Sequence, residues 1–322
     1  MCLYPKFIRN RKYTVTKKNG GNVPEVKDKR VLSVPVGCGK CMECRKQKAT
    51  SWQVRLQEDI RVHRNAKFAT FTFSDHELVK LEDEIKGIEG YDRDNEVCRI
   101  AVRRFTERWR KKYKKTIRHW IVTEIGGTRT ERIHMHGLLW TDEPTDTIQE
   151  IWKYGNVWIG DYVNGATINY IVKYVNKVDE KHKEYNSKIF TSKGIGANYM
   201  QRKDIERNRY SKGKTIETYQ TREGIELALP IYYRNHIYSE DERELLWLEK
   251  LDKEVRYVDG VEVNISKSDD EYYKLLMVKR QKSKRLGFGD DEVNWSLKRY
   301  ENERRNLKKM ERMEKLYGLA GS

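Results

Sequence analysis

Long apolar runs are missing from this 322-residue chain. None approaches the roughly eighteen residues needed to cross a bilayer. The opening Met-Cys-Leu-Tyr-Pro-Lys also lacks the apolar segment of a signal peptide. Cysteine is scarce: five in all, an odd number, with three inside seven residues. That pattern does not suit a secreted disulfide framework. Acidic residues are in deficit, 49 against 66 basic ones, leaving a formal charge of +17 and a pI near 9.4. These shortfalls predict a soluble intracellular protein with no membrane partner, and the charge favours a polyanion, nucleic acid first. Aromatic mass, by contrast, is plentiful at 11%, with 20 Tyr and 8 Trp. Disordered chains are poor in such residues, so a folded core is expected. The length allows one large domain or two ordinary ones.

The first 50 residues hold 13 basic and 3 acidic side chains, two Val-Pro steps and a cysteine cluster, which reads as a loop-rich basic segment. A helix is expected over 51–64. The stretch FATFTF (68–73) is aromatic and β-branched, hence a strand. Over 97–113 the apolar Val97, Ile100, Ala101, Phe105 and Trp109 fall at helical spacing. Arg103, Arg104, Arg108, Arg110, Lys111 and Lys112 crowd the rest of that helix. Such a run is either a solvated face or a surface for DNA; the near absence of interspersed acid keeps the DNA reading open. Segments 116–125 and 132–140 have strand character, and the short 126–130 linker should join them as an antiparallel hairpin. Helices are expected at 149–154 and 167–177, short strands at 156–159 and 227–233, and a loop at 194–196. Beyond Ser239 the chain reads as helical and charged, with the tail over 269–317 forming two helices broken at Gly287-Phe288-Gly289. The expected division is a basic Cys-rich segment with its following helix (1–60), a central domain (61–235) and a charged helical region (236–322).

In a strand, His134 and His136 point to one face. A hairpin centred on Arg129 would place Glu124 opposite His134 and on that same face, because directly paired residues lie side by side. A slip of one residue would send Glu124 to the other face. Two imidazoles and one carboxylate leave coordination positions open, as a catalytic divalent ion requires. Farther on, Tyr170 and Tyr174 lie four apart on one helix face. Core aromatics would have that spacing too. Beside a metal, a tyrosine can attack a phosphodiester in line, and Lys173 and Lys177 could stabilise a phenolate or hold a phosphate.

FATFTF, a basic helix, VTEIGG, HMHGLL and YIVKYVNK, in that order, resemble the HUH endonucleases of rolling-circle replication. The chain looks more closely similar to the replication initiators of small single-stranded DNA phages, the microviruses of gokushovirus type. The Cys-Leu-Tyr-Pro start, the VGCGKCMEC stretch with WQVRL after it, and the 194–196 loop share in that likeness, which covers about residues 1–235. The resemblance implies an α+β fold of HUH type, a central antiparallel sheet with flanking helices. It implies Mg²⁺ or Mn²⁺ on Glu124, His134 and His136, and Tyr170 and Tyr174 as two nucleophiles. One strand of an origin would be cut, the 5′ phosphate would be held on tyrosine, and the 3′ hydroxyl would prime synthesis. Single-stranded phage origin DNA, a host helicase and polymerase, and the host bacterial cytoplasm are the implied partners and place. Tyrosine follows two histidines here, whereas relaxases place it before a usual three; this favours an initiator.

Cys38, Cys41 and Cys44 form C-x-x-C-x-x-C, expected by chance roughly 0.001 times. Cys2 is the natural fourth ligand for tetrahedral structural Zn²⁺. An iron–sulfur cluster and unliganded thiols are the other readings. Cys98, inside the basic helix, reads as a small buried residue. Two alternatives to the endonuclease stay open: a non-enzymatic, zinc-dependent nucleic-acid binder, and a transposase of the same chemistry.

Overall fold

Strand alternation, short turns and capped helices follow one another in the computed structural model, which describes residues 2–127, 130–179 and 181–289, with residues 302, 305, 306, 309, 312, 313 and 315–317 beyond them. In chain order the elements are β1 (Lys6–Arg9), β2 (Ser33–Val36), α1 (Met42–Val62), β3 (Ala66–Phe71), α2 (Asp75–Asp83), α3 (Gly90–Tyr113), β4 (Arg118–Ile125), β5 (Ile133–Trp140) and α4 (Thr145–Trp152). Then come β6 (Val157–Gly160), α5 (Gly165–Asn176), β7 (Ile189–Thr191), β8 (Thr218–Gln220), β9 (Glu226–Ala228), α6 (Ile231–Ile237), α7 (Glu240–Asp252), β10 (Val255–Val258), β11 (Val261–Asn264) and α8 (Asp270–Arg285).

The chain divides into two compact units that do not follow a linear partition at residues 60 and 235. One comprises Met1–Ser51 with Tyr199–Glu292, the other Trp52–Asn198 with Val293–Ser322. The boundary falls inside α1.

The second unit holds, among the described residues, a five-stranded antiparallel sheet in the order β6-β3-β5-β4-β7. With the flanking helices this is an α+β architecture. Its two faces divide by the pleat. Ala69, Phe71, Ile121, Ile125, Ile133, Met135 and Leu139 pack into one core with Val97, Ala101, Phe105 and Trp109 of α3 and Ile148 and Trp152 of α4. The opposite face presents Phe68, Thr70, Trp120, Glu124, His134 and His136, with α5 and Trp52 of α1 against it. Gly137 is required between these faces: a Cβ there would lie 2.7 Å from the Trp120 carbonyl oxygen and 2.8 Å from the Ile121 side chain. Buried Asp59 ties α1 to β4 and to the 194–196 loop, accepting from Arg118 and from the Gly196 N–H (2.7 Å). Arg55 and Arg118 donate to the carbonyls of Ile195 and Gly194, at 3.0 Å each.

The first unit is loop-rich, as composition suggested. Lys12 and Tyr13 anchor its N-terminal part to Glu244 of α7 at 2.9 and 2.8 Å, while Tyr199, Tyr219 and Tyr233 pack ring on ring.

Three expectations are corrected. The segment 227–233 is a strand only to Ala228, because Pro230 has no N–H for a ladder and instead opens α6. Beyond Ser239 the chain is not wholly helical: β10 and β11 form a hairpin whose turn, Asp259-Gly260, has φ of 51° and 81°, as a tight primed turn demands. Helix α2, capped by Ser74, has no counterpart among the expected elements. Arg129, the expected turn centre of the β4–β5 hairpin, and most of the second tail helix lie outside the described residues. The tail residues described are helical, and Arg305 is buried, donating to Asp94 (2.8 Å), while Arg312 pairs with Glu82 (2.8 Å).

Candidate metal centre and paired tyrosines

The β4–β5 register pairs Glu124 with His134 and Val122 with His136, which brings one carboxylate and two imidazoles together on the α5 side of the sheet. Glu124 Oε2 lies 3.2 Å from His134 Nε2 and 2.9 Å from His136 Nε2, and the two nitrogens are 3.1 Å apart. Ligands at about 2.1 Å from an octahedral ion and about 90° from one another sit about 3.0 Å apart, so this triangle has the size of one face of such a site.

The ring tautomers fit the same use. His134 Nδ1 faces the Arg132 carbonyl at 3.3 Å, which can only accept, so the proton sits on Nδ1 and Nε2 is bare. His136 Nδ1 faces the Thr70 hydroxyl at 3.0 Å. Partners of this kind orient metal-ligating histidines. Burial pushes His136 below the usual imidazole range, keeping it neutral. Burial would raise the Glu124 carboxyl, but hydrogen bonds from His134, His136 and Lys177 outweigh it and hold the group well below the usual carboxylate range. Three lone-pair donors converging within about 3 Å repel one another unless a cation or proton lies among them, and that is the physical case for a divalent ion here.

Helix α5 begins at a capping box in which Asn164 and Thr167 exchange hydrogen bonds of 3.0 and 3.3 Å. Its apolar Ile168, Ile171, Val172 and Val175 are buried, which turns Tyr170 and Tyr174 toward the cluster. The Tyr174 ring stacks on His136, centroids 4.3 Å apart and 11° from parallel, and its hydroxyl donates to that of Tyr170 at 2.8 Å. Burial first, then the Tyr170 hydroxyl and the charge of Glu124, push the Tyr174 phenol above its ordinary range, so it rests protonated at neutral pH. Tyr170 is 48% exposed and Tyr174 8%, so the two differ in reach from solvent. Lys173 Nζ lies over the Tyr170 ring, 3.6 Å from its centroid, and 5.1 Å from that of Tyr174. Lys177 is directed at Glu124 Oε1 (2.5 Å) and so acts on the carboxylate.

The basic residues of α3 are not brought to this centre, because α3 packs on the other face of the sheet. Arg108 donates to the carbonyls of Ile151 and Trp152 at 2.7 Å each, closing the C-terminal end of α4. Arg104 grips Glu84, Arg103 faces Glu107 and Lys112 faces Glu150, leaving Arg110 and Lys111 exposed.

A second cluster lies in the first unit. The sulfurs of Cys2, Cys38, Cys41 and Cys44 all lie within 4.8 Å of one another, with Cys2–Cys41 at 3.9 Å and Cys38–Cys44 at 4.0 Å. Four thiolates about 2.3 Å from a tetrahedral zinc would sit about 3.8 Å apart. Backbone N–H groups of Cys38 and Tyr4 point at Cys2 Sγ (3.2 and 3.3 Å), that of Cys41 at Cys38 Sγ (3.3 Å) and that of Leu3 at Cys41 Sγ (3.5 Å). Hydrogen bonds from the Cys2 and Cys44 thiols hold Cys41 well below the usual thiol range despite its burial. A Cβ at Gly37 would stand 3.0 Å from Cys44 Sγ, so glycine is what lets the sulfur in. The cluster packs with Leu3, Val258 and Leu276. Cys98, in α3, is fully buried and apart from it.

The stretch that carries the sheet, the histidine–glutamate cluster and both tyrosines is also the stretch with known counterparts: residues 66–179 match the profile of the replication-associated protein ORF2 family. Over 234 residues the chain is 23% identical to the replication-associated protein VP4 of Bdellovibrio phage phiMH2K, covering 64% of this chain and 69% of that protein. No solved structure matches it significantly. Among the described residues no helix is long and apolar enough to cross a membrane.

Proposed function

We propose that this protein initiates phage DNA replication as a metal-dependent, tyrosine-nucleophile endonuclease and strand transferase of HUH type. The observation that carries the reading is the Glu124–His134–His136 triangle with the Tyr174 ring stacked directly on one of its members. The likeness to replication-associated proteins supports it, since the matched stretch contains every residue concerned.

A Mg²⁺ or Mn²⁺ ion held by these three side chains would polarise a non-bridging phosphate oxygen of the substrate. The residues of the chain supply the rest. His134 and His136 keep bare Nε2 atoms facing the site, and Glu124, kept ionised, offsets the charge bound there. A tyrosine oxygen forms the new bond to phosphorus, the bond from phosphorus to the 3′ oxygen breaks, and the phenolic proton ends on that 3′ oxygen. One phosphodiester replaces another, so the step is close to thermoneutral, and its reverse, attack of a 3′ hydroxyl on the phosphotyrosine, rejoins the strand. Lys173, over the Tyr170 ring, favours negative charge at that end of the pair. Two tyrosines suit a cycle in which one holds the 5′ end while the other cuts the regenerated origin. The partners this role calls for are single-stranded or supercoiled origin DNA and the host helicase and polymerase. Structural zinc on Cys2, Cys38, Cys41 and Cys44 would brace the first unit without entering the chemistry.

The test is a denaturing gel of protein incubated with origin-containing single-stranded DNA and Mn²⁺ or Mg²⁺. A covalent adduct that vanishes with EDTA supports the reading. Its absence under every metal, or its persistence in EDTA, overturns it.

A further inference from the structure

Trp158 stands out among the aromatic side chains of the second unit. It lies in β6, the edge strand of the sheet, and is 61% exposed, whereas Trp120 and Trp152 nearby are fully buried. Register decides where it points. Trp158 pairs with Thr70, and Thr70 pairs with His136 on its other side, so the three stand in one row on the same face. Two strand spacings separate Trp158 from His136, roughly 9–10 Å, little more than one nucleotide step of an extended strand.

The ring is also held. Gly160, two residues on, leaves space beneath it: a Cβ there would meet the Trp158 ring at 3.0 and 3.3 Å. Phe68 meets the ring edge to face at 5.8 Å. The Phe68 ring in turn meets Tyr170 at 6.1 Å and lies near parallel to His136 at 6.0 Å. A continuous aromatic row therefore runs from the metal triangle, past a nucleophile, to an open indole at the sheet edge. The charges along this part of the chain favour a polyanion. From 162 to 178 it carries Lys173 and Lys177 and no acid, β6 carries no charge, and Asp161 after it is paired with Lys67 at 3.2 Å.

An indole buttressed from one side and open on the other, in a strand without charge, suits a flat, electron-rich group on a polyanionic backbone. We infer that Trp158 is a stacking platform for an unpaired base one or two nucleotides from the scissile phosphate. This positioning role rests on the strand-transferase reading above and narrows its substrate to DNA whose bases are splayed out at the site. Stacking works for any base, because every base has a π face, so the platform contributes affinity and alignment and leaves sequence choice to other contacts.

The experiment uses the full chain with Tyr170→Phe and Tyr174→Phe, so that binding is measured without cleavage. Fluorescence anisotropy compares oligo(dT) with an abasic oligomer of equal length and charge. With Trp158 present, dT should bind more tightly, and Trp158→Ala should shrink that preference about 5- to 150-fold, the range of one base stacked on an aromatic side chain. Trp158→Phe should restore part of it. Affinity for the abasic oligomer and for blunt duplex should stay within about two-fold, and the melting curve should not move, since so exposed a ring contributes little to folding. An unchanged preference, or an equal loss on dT, abasic and duplex DNA, overturns the platform. So does loss of self-association on sedimentation with DNA affinity intact, which would assign the indole to a second copy of the chain. The covalent-adduct gel, run on Trp158→Ala with both tyrosines intact, separates the two readings. An adduct with the preference unchanged refutes the platform alone, whereas no adduct from any form of the protein refutes the nuclease.

Discussion

Divalent metal should stabilise the second unit through the Glu124–His134–His136 triangle, and the size of the effect can be worked out. A ligand bound only by the folded state stabilises it by RT ln(1 + [L]/Kd), about 2.7 kcal/mol at a hundred times Kd. For a unit of this size about 1 kcal/mol moves the melting temperature by about 2–4 °C, so saturating Mn²⁺ should raise it by about 5–11 °C. The variant must be chosen from the packing. The His136 ring lies between Phe68 and Tyr174 and is mostly buried, so an alanine there would leave a hole costing about 2–3 kcal/mol and blur the result. His134 is the cleaner position, touching the cluster edge-on at 4.9 Å from the His136 ring. If His134→Ala weakens Mn²⁺ at least 100-fold, then at the same concentration the gain falls to about 0.4 kcal/mol, a rise of about 1 °C. The increment is read within each variant by differential scanning fluorimetry with and without Mn²⁺, so any metal-independent cost cancels. A full rise in His134→Ala and in Glu124→Gln would refute the assignment of the ion to this site.

Each single change, Tyr170→Phe or Tyr174→Phe, should still permit a covalent adduct with origin DNA, and the double variant should give none. Mass spectrometry should find phosphotyrosine at these two positions, and at any other position it would break the assignment. Metal analysis of protein purified without chelators should find about one zinc per chain, lost in Cys41→Ser. Hydrogen exchange should then rise around residues 2–44 while the β4–β5 hairpin stays protected. Asp59→Ala should cost about 3 kcal/mol in urea unfolding, because it leaves Arg118 and the Gly196 N–H without their fully buried acceptor.

Much of the candidate site was readable in the chain because its geometry is local. The period of two put His134 and His136 on one face, a short linker set the hairpin register, and register alone put Glu124 opposite His134. A spacing of four put both tyrosines on one side of α5. The aromatic and β-branched run 68–73 gave its strand, shifted by two residues, and the Cys spacing brought four sulfurs together once Cys2 was counted. The β10–β11 hairpin was also written locally, in Asp259-Gly260 between alternating apolar residues, but the charge around it masked the signal.

What the sequence could not decide was which face of each element meets which neighbour at long range. The basic run on α3 reads as a DNA surface, yet the helix packs on the sheet face away from the histidines, and Arg108 is taken up by the open carbonyls of α4. The two units join residues 1–51 with 199–292, a pairing that burial across the chain selects and no local pattern records. Trp158 is one of eight tryptophans in the sequence. Only strand order, with β6 at the sheet edge beside β3, leaves it open and in line with His136. Periodicity and pairing are properties of neighbours a few residues apart; sheet order and helix docking are settled by which apolar faces can be buried together, and that choice exists only in three dimensions.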